Sequence, residues 1–216
     1  MVAVPIKPEY GPTLGRLLSP RWRAASPLAR GLVRVLVVGS IALAIGAFLT
    51  LENAHYARGG RVPFSFNYRG IDRVAAAPGE WVRLERRAAD GRLQDSYSVR
   101  PLTLPPYAGS LTGELPLYAA SYIRALRIRD ADFVLRSEGK TRVNAVPAYQ
   151  VVYTTRVAGR TMFGRDVLLV AQRPGEREGV NIVMLTSPTA NAQVTSPQEV
   201  ASAGVLLKPL KTFTLG

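Results

Sequence analysis

The sequence predicts an α+β fold, in which one N-terminal transmembrane helix is followed by an antiparallel sheet with helices packed on it. Three observations predict it. An uncharged, mostly apolar run extends from Val35 to Leu51. After about Arg61, short alternating apolar runs are separated by turn residues. Two stretches with helical spacing or a helix start interrupt and close that series. With 216 residues, 47% of them hydrophobic, the chain can bury one core of ordinary size beside extra segments.

The apolar run comes first in the chain. A bilayer core about 30 Å thick needs roughly 20 helical residues, with a lower limit near 17. Val35 to Leu51 reaches that limit, and Leu32 and Val33 extend it if Arg34 snorkels to the headgroups. A soluble helix would show a polar face within five turns, yet Gly39, Ser40, Gly46 and Thr50 are the only interruptions. A cleaved export signal is the competing reading. Its apolar region spans roughly 7–15 residues and ends in an A-x-A-like site. Here Ala54 to Ala57 is the nearest such site and sets His55 at the minus-three position, which favours a permanent anchor over 32–51.

Flanking arginines set the expected orientation. Arg16, Arg21, Arg23, Arg30 and Arg34 precede the run, and Arg58, Arg61 and Arg69 come after it. The bias places the N-terminus in the cytoplasm and the C-terminal domain outside the plasma membrane. The expected divisions are a disordered basic tail (1–31, with Pro5, Pro8, Pro12, Pro20 and Pro27), the transmembrane helix (32–51), a juxtamembrane linker (52–60) and an extracytoplasmic α+β domain (61–216).

Within the domain, "WVRLERR" (Trp81 to Arg87) and "RLQDSYSV" (Arg92 to Val99) flank Asp90-Gly91, a pair suited to a two-residue type I′ hairpin. "ELPLYAASYIRAL" then sets Leu115, Tyr118, Ala119, Tyr122, Ile123 and Leu126 at helical spacing, with Thr112 as cap and Pro116 in the first turn. Its tyrosine stripe reads as an apolar face packed on the sheet, or as the lining of a ligand groove. Four strands come next, Asp132 to Arg136, Val146 to Val157, Thr161 to Arg173 and Val180 to Ser187, joined by turns at Ser137 to Lys140, Ala158 to Arg160 and Pro174 to Gly179. "TSPQEVASAGVLL" begins a last helix with Ser196 as cap, Pro197 first and Glu199 completing a capping box. Pro209 ends that helix, and "LKTFTL" returns as a strand or an extended tail.

The run "VNAVPAYQVVYTTRVAGRTMFGRDVLLVAQ", then "GVNIVMLTS", then the capped segment leading to "LKPLKTFTL" resembles the C-terminal half of the PsbP-like fold family. That family includes extrinsic photosystem subunits and LpqN-type envelope proteins of actinobacteria. The resemblance covers Phe133 to Leu215 and rests on packing patterns at Ala145 to Tyr149, Met184 to Thr186 and Thr212 to Thr214. Ala145 stands where the family has Gly, and Phe213 follows Thr in place of Ser. The resemblance implies a binding or assembly domain without catalysis of its own.

The residues themselves offer little chemistry. The absence of cysteine excludes disulfides, thiolate metal sites and a Cys nucleophile. His55 is the only histidine, which leaves a Ser-His-Asp triad or a histidine-rich metal site without parts. "SEGKT" (Ser137 to Thr141) ends like a P-loop but has Val134 where the first Gly belongs, and its S-x-x-K lacks the partner motifs of penicillin-binding enzymes. A hairpin turn accounts for it. Asp130 and Asp132 are two acids without further ligands, beside Arg127 and Arg129. Glu85, Asp90 and Asp95 fall on strand or turn surfaces. No residue is therefore assigned a catalytic, cofactor-binding or metal role, and no cofactor is expected.

Charge carries the remaining information. The net charge is +13, with 28 basic side chains of which only Lys7, Lys140, Lys208 and Lys211 are lysines. After residue 51 there are 22 basic and 14 acidic side chains. The expected partners are the membrane, through 32–51, and an anionic envelope polymer, lipid headgroups or an acidic protein. Nucleic acid is not expected, because no aromatic-basic motif is present. The preferred reading is a non-catalytic, single-pass binding or assembly protein of the cell envelope. The alternative is an envelope hydrolase using Ser and acidic residues.

Overall fold

The computed structural model describes residues 26–50, 53–106, 111–171, 177–190 and 192–216. It forms two units, 1–51 and 52–216. The basic tail up to residue 25 lies outside the described residues.

In the first unit, helix α1 runs from Pro27 to Thr50, with Pro27 at a first-turn position that needs no N–H partner. It starts earlier than expected and so takes in Arg30 as well as Arg34. Its charge-free length, from Val35 onward, is about 24 Å at ~1.5 Å per residue, against a bilayer core of about 30 Å. Among the described residues, no helix is long and apolar enough to cross a membrane. Leu51, the last residue of the expected span, lies outside them.

The second unit is α+β and antiparallel throughout. Its strands are β1 (Ala54–Arg58), β2 (Phe64–Tyr68), β3 (Asp72–Val74), β4 (Val82–Arg87), β5 (Leu93–Thr103), β6 (Val134–Val143), β7 (Val146–Val157), β8 (Arg160–Val170), β9 (Glu178–Thr186) and β10 (Thr214–Leu215). Helix α2 spans Leu111–Arg129, and a short α3 spans Leu207–Lys211. Seven strands form one sheet in the order β3-β4-β5-β9-β8-β7-β6, and β1-β2-β10 form a second. The large sheet is thus two meanders, β3-β4-β5 and β6 to β9, joined along β5 and β9 and connected by α2.

Strand parity builds a core on each face of the large sheet. On one face Leu84, Tyr97, Val99, Val167, Ile182 and Met184 meet the small sheet and the C-terminal segment. There Phe66 packs on Tyr97 at 5.1 Å and Phe64 on Phe213 at 5.5 Å. On the other face Leu102, Val151, Leu168 and Val170 meet Leu115, Ala119, Ile123 and Leu126 of α2. The helical spacing read from the sequence is the spacing that buries this face.

Several expectations need correction. Residues 52–60 are not a plain linker, because 54–58 form β1, paired with β2. The Asp90-Gly91 hairpin exists, but its turn is Ala88 to Gly91. Gly91 N–H donates to Ala88 O at 2.9 Å, and of the pair only Gly91 has positive φ, +80°. A type I turn closed by a left-handed glycine therefore replaces the type I′ pair. Ser137 to Thr141 is no turn either: β6 continues to Val143 and reverses at Asn144-Ala145, at φ +44° and +69°. Thr112 lies inside α2, which places Pro116 in its second turn. The last helix does not form. The Glu199 carboxylate does reach back to the Ser196 N–H at 3.0 Å, but the chain then makes only a 3-10 turn over Pro197–Glu199. Ala201 and Gly204, at φ +63° and +73°, turn the chain away. Pro209 lies within α3.

Candidate anion-binding site

Helix α2 packs over β6, β7 and β8. Beside it, the same sheet face carries a ladder of charges. Positions 83, 85 and 87 of β4 point the same way by strand parity, so Glu85 stands between Arg83 and Arg87. Arg83 Nε donates to Glu85 Oε1 at 2.6 Å and Arg87 Nε to Glu85 Oε2 at 2.8 Å. Glu80 extends the ladder, accepting from Arg100 Nη2 at 2.8 Å and from Arg83 Nη1 at 3.4 Å. The Glu80 and Glu85 side chains are only 1% and 7% exposed, whereas those of Arg83, Arg87 and Arg100 are 26%, 54% and 30% exposed. The acids form the floor and the guanidinium groups the surface. Each arginine has five N–H donors, so donors remain after the carboxylates are served.

Glu80 is held ionised. Burial pushes its carboxyl up, but the Arg100 hydrogen bond, the Ala77 N–H and the charges of Arg83 and Arg100 outweigh burial and leave it below its ordinary value. Burial likewise opposes the charge of Arg100, and the Glu80 hydrogen bond and charge more than restore it.

At the end of the ladder, the turn after β4 and the turn after β7 enclose a hollow of about 530 Å³. Arg83, Arg87, Arg92 and Arg160 line it, against Glu85 and Asp90, with Leu93 and Met162 as apolar floor. Arg92 pairs with Asp90. Arg160 enters no ion pair among the described residues. Four guanidinium groups in one concavity with two engaged carboxylates leave a surplus of positive charge and donors suited to phosphate, sulfate or carboxylate oxygens.

Beneath α2 lies a buried polar hub. Asp166 of β8 is fully buried; Tyr122 Oη donates to its Oδ2 at 2.6 Å and Tyr153 Oη to its Oδ1 at 3.0 Å. Asn181 Nδ2 donates to Tyr122 Oη at 2.9 Å. Burial raises the Asp166 carboxyl to about 6, against the pull of the two tyrosine hydrogen bonds and the charges of Arg100 and Arg129. Both phenols are pushed up, chiefly by burial, and remain donors. With both oxygens occupied, the hub presents no free carboxylate to a substrate. It fixes α2 on the sheet and so sets the wall beside the arginine ladder. A second hollow, of about 680 Å³, lies between the end of β5 and the start of α2, lined largely by Leu104, Pro105, Pro106, Leu117 and Tyr118. Glu114, its one charged lining residue among the described residues, is tied to Arg177 at 3.0 Å.

The residues weighed for a hydrolase do not converge. Ser137 pairs opposite Val152 and Lys140 opposite Tyr149, so the two lie on opposite faces of β6. Asp130 accepts from Thr155 Oγ1 and from the Asp132 N–H, the latter at 3.0 Å, in a turn. His55 Nδ1 pairs with Asn67 Oδ1 at 2.8 Å across β1 and β2. Of the tyrosine stripe, Tyr118 stacks on Tyr122 and lines the apolar hollow, while Tyr122 carries the hub. Glu85 and Asp95, expected on surfaces, are buried. Sequence reasoning does not single out Asp166 or Asn181, although Asp166 shares parity with Leu168 and Val170, which marks it as facing the core.

No family model and no curated protein matches the sequence. Two solved structures are similar to the chain. One is the solution structure of cyanobacterial PsbP (CyanoP) from Synechocystis sp. PCC 6803, with 17% identity and a TM-score of 0.47, covering 76% of this chain and 93% of that one. The other is the crystal structure of PA94 from Pseudomonas aeruginosa, a protein of unknown function described as a putative regulator. It shows 15% identity and a TM-score of 0.36, covering 64% of this chain and 85% of that one. The first is a PsbP protein, the family that the run from Phe133 to Leu215 resembles.

Proposed function

We propose that the chain is a non-catalytic binding or assembly protein of the cell envelope, held at the plasma membrane through 32–51, whose helix-side face takes an anionic partner. The observation that carries the reading is the arginine-lined hollow, where Glu85 and Asp90 are already paired and Arg160, among the described residues, is not. For the anchor, the support is the pattern of α1. Leu32, Val35, Leu36, Val38, Ile41 and Leu43 are exposed at positions spread around the helix, the arrangement an apolar surrounding favours.

The test is photo-crosslinking in intact cells from Leu93, inside the hollow. An anionic partner is captured, and capture falls with rising salt and with Arg160→Glu. A salt-insensitive partner without acidic groups contradicts the reading. Loss of cellular function in Ser137→Ala or Asp130→Asn, with the domain still folded, supports the hydrolase instead. Alkaline carbonate leaves an anchored chain in the membrane pellet and releases an unanchored one.

A further inference from the structure

Resting on the anionic reading above, we propose that the partner is an extended, linear polyanion lying along the ladder, rather than a single small anion or a flat charged surface. The cations stand in file. Arg100 is level with Trp81, since Val82 pairs with Val99 and the Trp81 N–H donates to Val99 O. At ~3.3 Å per strand residue, Arg83 lies about 7 Å further along and Arg87 about 13 Å beyond that. Arg92 and Arg160 continue the file into the hollow. A single phosphate or sulfate meets one end of this arrangement and leaves the other guanidinium groups unused. A chain with a negative group every few ångströms engages them in turn.

A flat surface fits the site less well. Helix α2, about 10 Å across, stands on the same sheet face and is pinned there by Tyr122 on Asp166. A plane resting on α2 is held off the sheet by about one Debye length at physiological salt. Glu80 and Glu85 lie between the arginines at the floor, so the positive charge forms a narrow line rather than a field. Such a line selects a chain narrow enough to sit beside the helix.

The experiment uses the full chain in an uncharged detergent, with orthophosphate, linear inorganic polyphosphates of increasing length and phosphatidylglycerol vesicles as probes. Expected is an affinity that rises at least tenfold with chain length and levels off only once the polyphosphate spans more than about 20 Å, the reach from Arg100 to Arg87, and so also meets Arg92 and Arg160. The double variant Arg92→Gln, Arg160→Gln spares the Glu80 and Glu85 pairs. It lowers long-chain affinity about tenfold and reduces the slope of log K against log salt by roughly 1.4, with thermal unfolding unchanged. Should orthophosphate or vesicles bind as well as the long chains, and lose binding in the same variant, the anionic reading stands and the extended-chain inference falls. If no anion of any length binds, both fall together.

Discussion

Replacing Asp166 with Asn removes a charge from the most buried polar position of the domain and leaves its shape. The carboxyl is raised from 3.8 to about 6, first by burial, against the two tyrosine donors and the charges of Arg100 and Arg129. A group raised in the folded state contributes stability that is complete below its unfolded value and is lost as pH rises through its folded value. For Asp166 that window runs from about 4 to about 6. A shift of about two units corresponds to about 3 kcal/mol, an order-of-magnitude figure for a group with no solvent screening. Asn keeps one acceptor and has no charge to bury, so its contribution is flat with pH. Glu80, held below its ordinary value, acts with the opposite sign, contributing above about 4.5 and losing that contribution as pH falls. It is common to both proteins and cancels in their difference. Urea unfolding followed by Trp81 fluorescence, in a Trp22→Phe background, is a suitable assay because Trp81 stacks on Phe64 at 5.8 Å. The stability of wild type minus Asp166→Asn should fall by about 2–3 kcal/mol between pH 4 and pH 7.5. A difference that is flat, or that grows with pH, refutes the buried-charge reasoning.

The same geometry has other consequences. Tyr122→Phe removes the donor to Asp166 Oδ2 and the acceptor of Asn181; a loss of about 2 kcal/mol is expected in the same unfolding assay at pH 7.5. In Gly164→Ala the new Cβ would stand 2.3 Å from the Tyr153 ring, so the ring must move off Asp166, at a cost of about 1–3 kcal/mol visible as a lower Tm. Ala145→Gly relieves a left-handed alanine at φ +69° in the β6–β7 turn and should stabilise by about 1 kcal/mol. Phe66→Ala empties the aromatic layer between the two sheets and should cost about 3–5 kcal/mol, with loss of the near-ultraviolet circular dichroism of the stack.

What the sequence showed and what it hid divide along physical lines. Long strands with strict alternation were legible, and Val146 to Val157 has the observed bounds of β7. The core face of α2 was legible for the same reason. Turn type was not. Asp90-Gly91 looked the better type I′ pair, yet the positive-φ pairs are Asn144-Ala145 and Ala158-Gly159, where strand register on both sides imposes the reversal. The family resemblance carried a hint here, since a glycine expected at Ala145 is the residue a left-handed position prefers. At Ser196 and Glu199 a sound capping box was overruled by the residues C-terminal to it. Propensity starts a helix, but packing of Val200, Ala201 and Leu206 into the core decides whether it continues. The arginine ladder combines residues from β4, β5 and the turn before β4, so it exists only once Val82 is opposite Val99. In one dimension "WVRLERR" is a strand with a basic face. The proposed anion site depends on the β7–β8 turn bringing Arg160 to the same hollow.

The central claim, that this face is where a partner binds, is tested most directly by where an anion perturbs the molecule. Titrating a linear polyphosphate longer than the file of arginines into the full chain in uncharged detergent, with the arginine Nε–H resonances followed by NMR, should shift those of Arg83, Arg87, Arg92, Arg100 and Arg160 along one saturable curve, and leave those of Arg127 and Arg156 in place. Shifts that track all arginines equally without saturation, or that are confined to the hollow beside Tyr118, would contradict the account.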